Sequence, residues 1–198
     1  MIAPVNFDKE LTVYLYVSEP FQEQFGLNPE NLPEDVELAL PADWWSVWRA
    51  EQIHFEDDLS WVLFTNAKTL FSFCYRAYRD DYESIIQEFE HGFLSNLKAN
   101  GVQLPPQVST RLVPMVGQAE ELSNSMNSLA EHYLADIYER DASREDAEIR
   151  LWSIPCSDID YDLPGEAYLR ELKVNPPFGV AVVLPDDGDD DPFSEPER

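Results

Sequence analysis

Leu59 to Leu97 reads LSWVLFTNAKTLFSFCYRAYRDDYESIIQEFEHGFLSNL, and a change of period inside it decides the fold. From Trp61 to Asn66 and again from Leu70 to Tyr75, aromatic and aliphatic residues crowd two short segments. Ala67-Lys68-Thr69 separates them, which predicts two strands joined by a tight turn. Glu56-Asp57-Asp58 separates them in turn from Trp45 to Phe55, a third strand-like run. Short connections of this kind predict an antiparallel meander. At Asp80 the pattern switches: Tyr82, Ile85, Ile86, Phe89, Phe93 and Leu97 recur at helical spacing, and Asp80 with Glu83 fits a capping box. A helix over 81–99 follows, closed by Asn100-Gly101.

Working outward, Ala119, Leu122, Met126, Leu129, Tyr133 and Ile137 form a second apolar stripe and predict a helix over 117–140. Leu11 to Val17 is rich in β-branched and aromatic residues and reads as a strand. A short helix is expected after it, with Pro20 in the first turn and Phe21 and Phe25 on one face. Three prolines and several acids between Leu27 and Pro41 suggest an extended connection. Asp141 to Glu148 continues the second helix or forms a charged loop, Ile149 to Ile154 suits a short strand, and Pro164 to Leu172 a last helix. From Asp186 to Arg198 there are seven acids and one arginine, too much like charge for compaction. The expectation is one α+β domain over 1–173, an antiparallel meander sheet packed against two main helices, followed by an acidic, disordered tail over 174–198.

Composition narrows the function classes. The chain has 198 residues and a formal net charge of −26, with 13 Lys plus Arg against 39 Asp plus Glu. With 44% hydrophobic and 13% aromatic residues it carries enough apolar material for a packed core. The few scattered cations are not the footprint of a protein that binds phosphate backbones or anionic membranes, so no direct nucleic-acid or membrane binding is expected. No window approaches 18 consecutive apolar residues, and two cysteines make no disulfide framework, so a cytoplasmic protein is expected.

Three segments carry a resemblance. Trp48-Arg49-Ala50 with the Leu59 to Phe73 hairpin and its Phe-Thr-Asn-x-x-Thr turn, Val116 to Asn127 with its Met-Asn pair, and Leu151-Trp-Ser-Ile-Pro-Cys156 are similar to an uncharacterised bacterial domain family of unknown function. The likeness covers about 42–172, with Trp152 and Ser153 departing from the pattern. It implies one integrated α+β domain and brings no activity with it. In the turn, Asn66 and Thr69 have a structural reading, because both side chains can bond turn amides.

Motifs with chemistry are broken. His54-Phe55-Glu56 with Pro155-Cys156 suggests a zinc deaminase, but the second thiolate position is Ile159. Asp158, Asp160 and Asp162 alternate like the first half of a calcium loop, yet Leu163 and Leu169 stand where glycine and glutamate are needed, leaving at most a weak, irregular calcium site. The alternative for these acids is a polar turn with Asp162 as a helix cap. His91 and His132 lie on separate helices, and Ser123, Ser125 and Ser128 lack a nucleophile elbow. No cofactor is expected.

The leading functional expectation is a non-catalytic acidic protein that engages a basic protein partner. Its contacts would come from Trp44 and Trp45, unless these fill the gap between sheet and helices as a small α+β core needs, and from Glu131, Asp136, Glu139, Asp141, Glu145, Asp146 and Glu148. The alternatives are a DNA mimic that inhibits a nucleic-acid-binding protein, a carboxylate metal-dependent hydrolase, and acidity that serves solubility alone. The sequence is silent on oligomeric state. Burial of the acids separates these readings: a buried cluster favours the hydrolase, one exposed stripe the mimic, and even spreading solvation.

Overall fold

The computed structural model describes residues 9–25, 43–56, 59–78, 81–104, 108–116 and 123–177. Five strands, β1 (Lys9–Val17), β2 (Val47–Glu56), β3 (Leu59–Asn66), β4 (Ser72–Tyr78) and β5 (Val108–Val116), form one sheet in the order β4-β3-β2-β1-β5. Among the described residues five α-helices accompany them: α1 (Glu19–Gln24), α2 (Tyr82–Ala99), α3 (Ser123–Tyr138), α4 (Arg144–Leu151) and α5 (Pro164–Val174). The fold is α+β.

β2, β3 and β4 form the antiparallel meander, with Phe64 opposite Phe73 and Ala50 opposite Phe64. The sheet as a whole is mixed, which corrects the antiparallel expectation. β1 runs parallel to β2 on one side and to β5 on the other, pairing Tyr14 with Val47 and Val13 with Leu112. A parallel pair needs a long connection: the chain between β1 and β2 includes α1, and that between β1 and β5 includes the meander and the whole of α2. β5 was not anticipated because Ser109, Thr110, Arg111 and Pro114 dilute its apolar character. An edge position tolerates that proline, since one side of the strand needs no ladder bonds.

Side chains alternate between two cores. On one face Val13, Leu15, Trp48, Ala50, Val62, Phe64 and Phe73 meet Ile85, Phe89, Phe93 and Leu97 of α2, with Tyr168 and Leu172 of α5. On the other, Trp61, Leu63 and Cys74 meet Leu129 and Tyr133 of α3 and Ala147 and Leu151 of α4. β3 is therefore covered on both sides, which explains why Trp61-Val-Leu-Phe64 is a continuous apolar run and not an alternating one. Each fully buried Phe or Leu in these layers contributes on the order of 1.5–3 kcal/mol.

Local signals set the helix ends. The carboxylate of Asp81 accepts the Ser84 N–H at 3.0 Å, so the α2 cap sits one residue beyond the anticipated Asp80. Gly101 at φ 79° takes the left-handed position after α2. α3 stops at Tyr138, Asp141 adopts φ 52°, and Ser143 caps a separate helix by accepting the Asp146 N–H at 3.1 Å. The strand expected over Ile149–Ile154 is thus replaced by the end of α4 and a turn; Ser143-x-x-Asp146 was the overlooked start signal. Val174, placed in the tail by the sequence reading, belongs to α5. The connection over 27–41 and the acidic segment from Asp186 lie outside the described residues.

Candidate functional site: the α3–α4 face and the carboxylate beneath it

Seven acids of α3, α4 and their junction divide into two populations. Glu131, Glu139, Asp141, Glu145 and Asp146 are exposed, whereas Asp136 and Glu148 are buried. Helical spacing explains the split. Asp136 lies three residues after Tyr133 and seven after Leu129, and Glu148 three before Leu151, so both sit on core-facing stripes. Two residues read as partner contacts are therefore internal.

Asp136 clamps the two helices. It accepts hydrogen bonds from Arg140, two residues past the end of α3, and from Arg150 of α4 at 2.9 Å. Burial raises its carboxyl affinity for a proton, but the bonds from the two guanidiniums outweigh that and hold it below the usual value of 3.8. Asp136→Asn should destabilise by about 1–2 kcal/mol at pH 7, because both arginines are half-exposed and keep their water. A lowered carboxyl contributes stability above 3.8 that is lost as pH falls through the folded value. Urea unfolding should show the wild-type advantage shrinking by pH 3.

Glu148 reaches the sheet. Its Oε1 accepts the Cys74 N–H of β4 at 3.0 Å, and the Arg144 Nε lies 3.8 Å away. The Arg144 guanidinium itself stands over the Tyr75 ring at 4.6 Å. Burial pushes Glu148 up to about 7, opposed by the Cys74 N–H and Arg144, and pushes the Cys74 thiol and Tyr133 phenol further from ionisation. The Tyr133 hydroxyl is buried beside the Cys74 thiol and, among the described residues, has no other hydrogen-bond partner. This cluster was not anticipated; the i, i+3 relation of Glu148 to Leu151 was the available signal.

The remaining candidates are dispersed. Trp44 is buried, its indole donating to the Asn175 carbonyl at 2.9 Å and meeting Tyr168 edge-on, while Trp45 is half-buried with its carbonyl accepting the Trp48 indole. Trp44 is thus a core residue. Asp158 accepts the Ser125 hydroxyl, Asp162 pairs with Arg170 at 2.6 Å and accepts the Leu163 N–H, and Asp160 is exposed at φ 57°. The Arg170 hydrogen bond lowers the Asp162 carboxyl. His54 stacks obliquely on Tyr138 at 5.0 Å, and the Cys156 thiol donates to the Ile154 carbonyl. His91 and His132, both exposed, are carried by helices on opposite faces of the sheet. Among the described residues no three His, Cys, Asp or Glu side chains come together as a metal-binding group. Among them, too, no helix is long and apolar enough to cross a membrane.

Asn66 is fully buried and spends both ends of its amide on the β3–β4 turn and on the approach to β2. Comparison with protein-family models, curated proteins and solved structures found no match.

Proposed function

We propose that this chain is a non-catalytic binding protein that offers the outer faces of α3 and α4 to a basic protein surface. The observation that supports this is the division of the acids: Glu131, Glu139, Asp141, Glu145 and Asp146 face solvent, while the two acids that face inward have donors of their own. Five unburied carboxylates on two successive helices and the junction between them accelerate encounter with a cationic partner, and salt weakens that steering. Arg140, Arg144 and Arg150 interrupt the negative face. An interrupted pattern suits a protein surface of mixed charge better than a groove shaped for a continuous phosphate backbone, so the DNA-mimic reading is second. Free, buried Cys74 and Cys156 suit a reducing compartment, and the cytoplasm is the proposed location.

The test is affinity capture from a lysate with the wild type and with a Glu139→Lys, Asp141→Lys, Glu145→Lys, Asp146→Lys variant, at about 0.05 and 0.5 M salt. One basic partner should be retained by the wild type at low salt and released both by high salt and by charge reversal. Reversing Glu139 and Asp141 should cost roughly 0–1 kcal/mol each, and reversing Glu145 and Asp146 in the first turn of α4, where the Asp146 carboxylate accepts the Ser143 hydroxyl at 2.8 Å, about 1 kcal/mol each, so urea unfolding of the variant accompanies the capture. Equal capture by both proteins would reject this face as the contact.

A further inference from the structure

β4 is an edge strand, and two of its outward backbone groups are taken by α4 and the residue that follows it. Cys74 pairs opposite Leu63, yet its N–H goes to Glu148 instead of across to β3. Two residues earlier the Ser72 carbonyl accepts the Trp152 indole N–H at 2.6 Å. Over Ser72 to Cys74 these side chains stand where a sixth strand would stand, which is how a folded protein blunts a sheet edge. The opposite edge has a parallel device: the Thr110 N–H of β5 donates to Glu90 of α2 at 3.0 Å. The two glutamates differ in surroundings, for Glu90 is half-buried and Glu148 only 8% exposed.

We propose that α4 is a proton-operated cover of the β4 edge: protonated Glu148 keeps it seated over Ser72 and Cys74, and ionised Glu148 makes it lift more often and bare those groups. The groups facing Glu148 show why a proton matters. β4 presents Cys74 and Tyr75, α3 presents Tyr133, α4 itself presents Arg144 and Glu145, and Glu88 of α2 acts on Tyr75. A carboxylate has about four lone-pair sites. Among the described residues it receives one N–H, and its nearby guanidinium, 3.8 Å off, is shared with Glu145 at 3.8 Å and with the Tyr75 ring. Glu145 adds like charge. Cys74 and Tyr133 stay neutral through the physiological range because burial raises both, so Glu148 is the member of this cluster that changes charge near neutrality. A protonated carboxyl still accepts the Cys74 N–H through its carbonyl oxygen, so seating survives protonation. Ionisation adds a buried charge that water would solvate if the helix lifted.

With a carboxyl of about 7 when seated and 4.5 when lifted, the sign follows. Seating is favoured by acid, and the advantage is lost as pH rises through about 7. The lifted fraction should grow roughly tenfold from pH 6 to pH 8. Amide exchange of Cys74, followed by NMR and corrected for the intrinsic base-catalysed rate, reads this fraction, with Thr110 at the other edge as internal reference. The expected result is the tenfold rise at Cys74 and none at Thr110 in the wild type, and no rise at Cys74 in E148Q, which keeps the acceptor and abolishes the charge. An unchanged corrected rate at Cys74, a matching rise at Thr110, or the same rise in E148Q would overturn the proposal. If E148Q does not fold, the carbon chemical shift of the Glu148 carboxyl in the wild type decides instead, a midpoint near 7 supporting the cover and one near 4.5 overturning it.

Discussion

Asn66→Ala should lower the free energy of unfolding by about 3–5 kcal/mol, a large share of the stability of a domain this size. The side chain has no solvent exposure. Its Nδ2 donates to the carbonyls of Trp44 at 3.1 Å and Val47 at 3.3 Å, while its Oδ1 accepts the N–H groups of Lys68 at 3.1 Å and Thr69 at 3.0 Å and the Thr69 hydroxyl at 3.0 Å. One amide therefore holds the β3–β4 turn closed and ties it to the entry of β2. Truncation strands partners of which all but the part-buried Lys68 N–H are buried, each buried one costing about 1–3 kcal/mol. The total stays below their sum because the Val47 carbonyl keeps the Ala67 N–H at 3.0 Å. Asn66→Asp should be nearly as damaging, since it turns two donors into an acceptor facing two carbonyls. Urea unfolding against the exposed control Asn127→Ala gives the comparison; a loss under about 1 kcal/mol for Asn66→Ala would show that the turn is held by its backbone alone.

That turn was legible in the sequence because its determinants are local: two strand-like runs, three residues between them, and an Asn and a Thr able to bond the intervening amides. The same locality made α2 readable from its apolar stripe and α5 from Pro164 at its first turn. The parallel placement of β1 between β2 and β5 was not readable, because a parallel pair is set by packing between segments distant in sequence. β5 hid behind an edge strand's tolerance of Pro114 and polar residues. The site was half legible. Five of the seven α3–α4 acids are exposed, and the inward turn of Asp136 and Glu148 could have been found by extending the stripes of Leu129, Tyr133 and Leu151 to their polar neighbours. Their donors could not, for the Cys74 N–H and the Arg150 guanidinium come from other elements.

Gly92→Ala should destabilise by about 2–3 kcal/mol, opposite in sign to what a helix interior ordinarily returns. In an exposed helix that change is worth roughly 1 kcal/mol in favour of alanine. Gly92 is buried between Phe89 and Phe93 on the face that α2 lays against β4, and a Cβ there would stand 2.7 Å from Cε2 of both Phe73 and Tyr75 and 2.9 Å from Cδ2 of Phe73. Contacts that short force something to move. Phe73 has little freedom to do so: its ring centroid lies 5.3 Å from Trp48, 5.3 Å from Phe64, 5.8 Å from Phe89 and 5.9 Å from Tyr75, all packed in the same core. The helix must then retreat from β4 and loosen Phe89 and Phe93, whose burial holds that layer. Gly92→Val should lose more, because its branch points into the same rings. Pairing Gly92→Ala with Phe73→Leu separates the steric account from one of helix propensity. Relief of the clash predicts a double variant less damaged than the two single losses added together, by about 1 kcal/mol or more. Strict additivity, or a Gly92→Ala protein as stable as the wild type, would mean that α2 does not approach β4 as closely as the packing of Phe73 and Tyr75 requires.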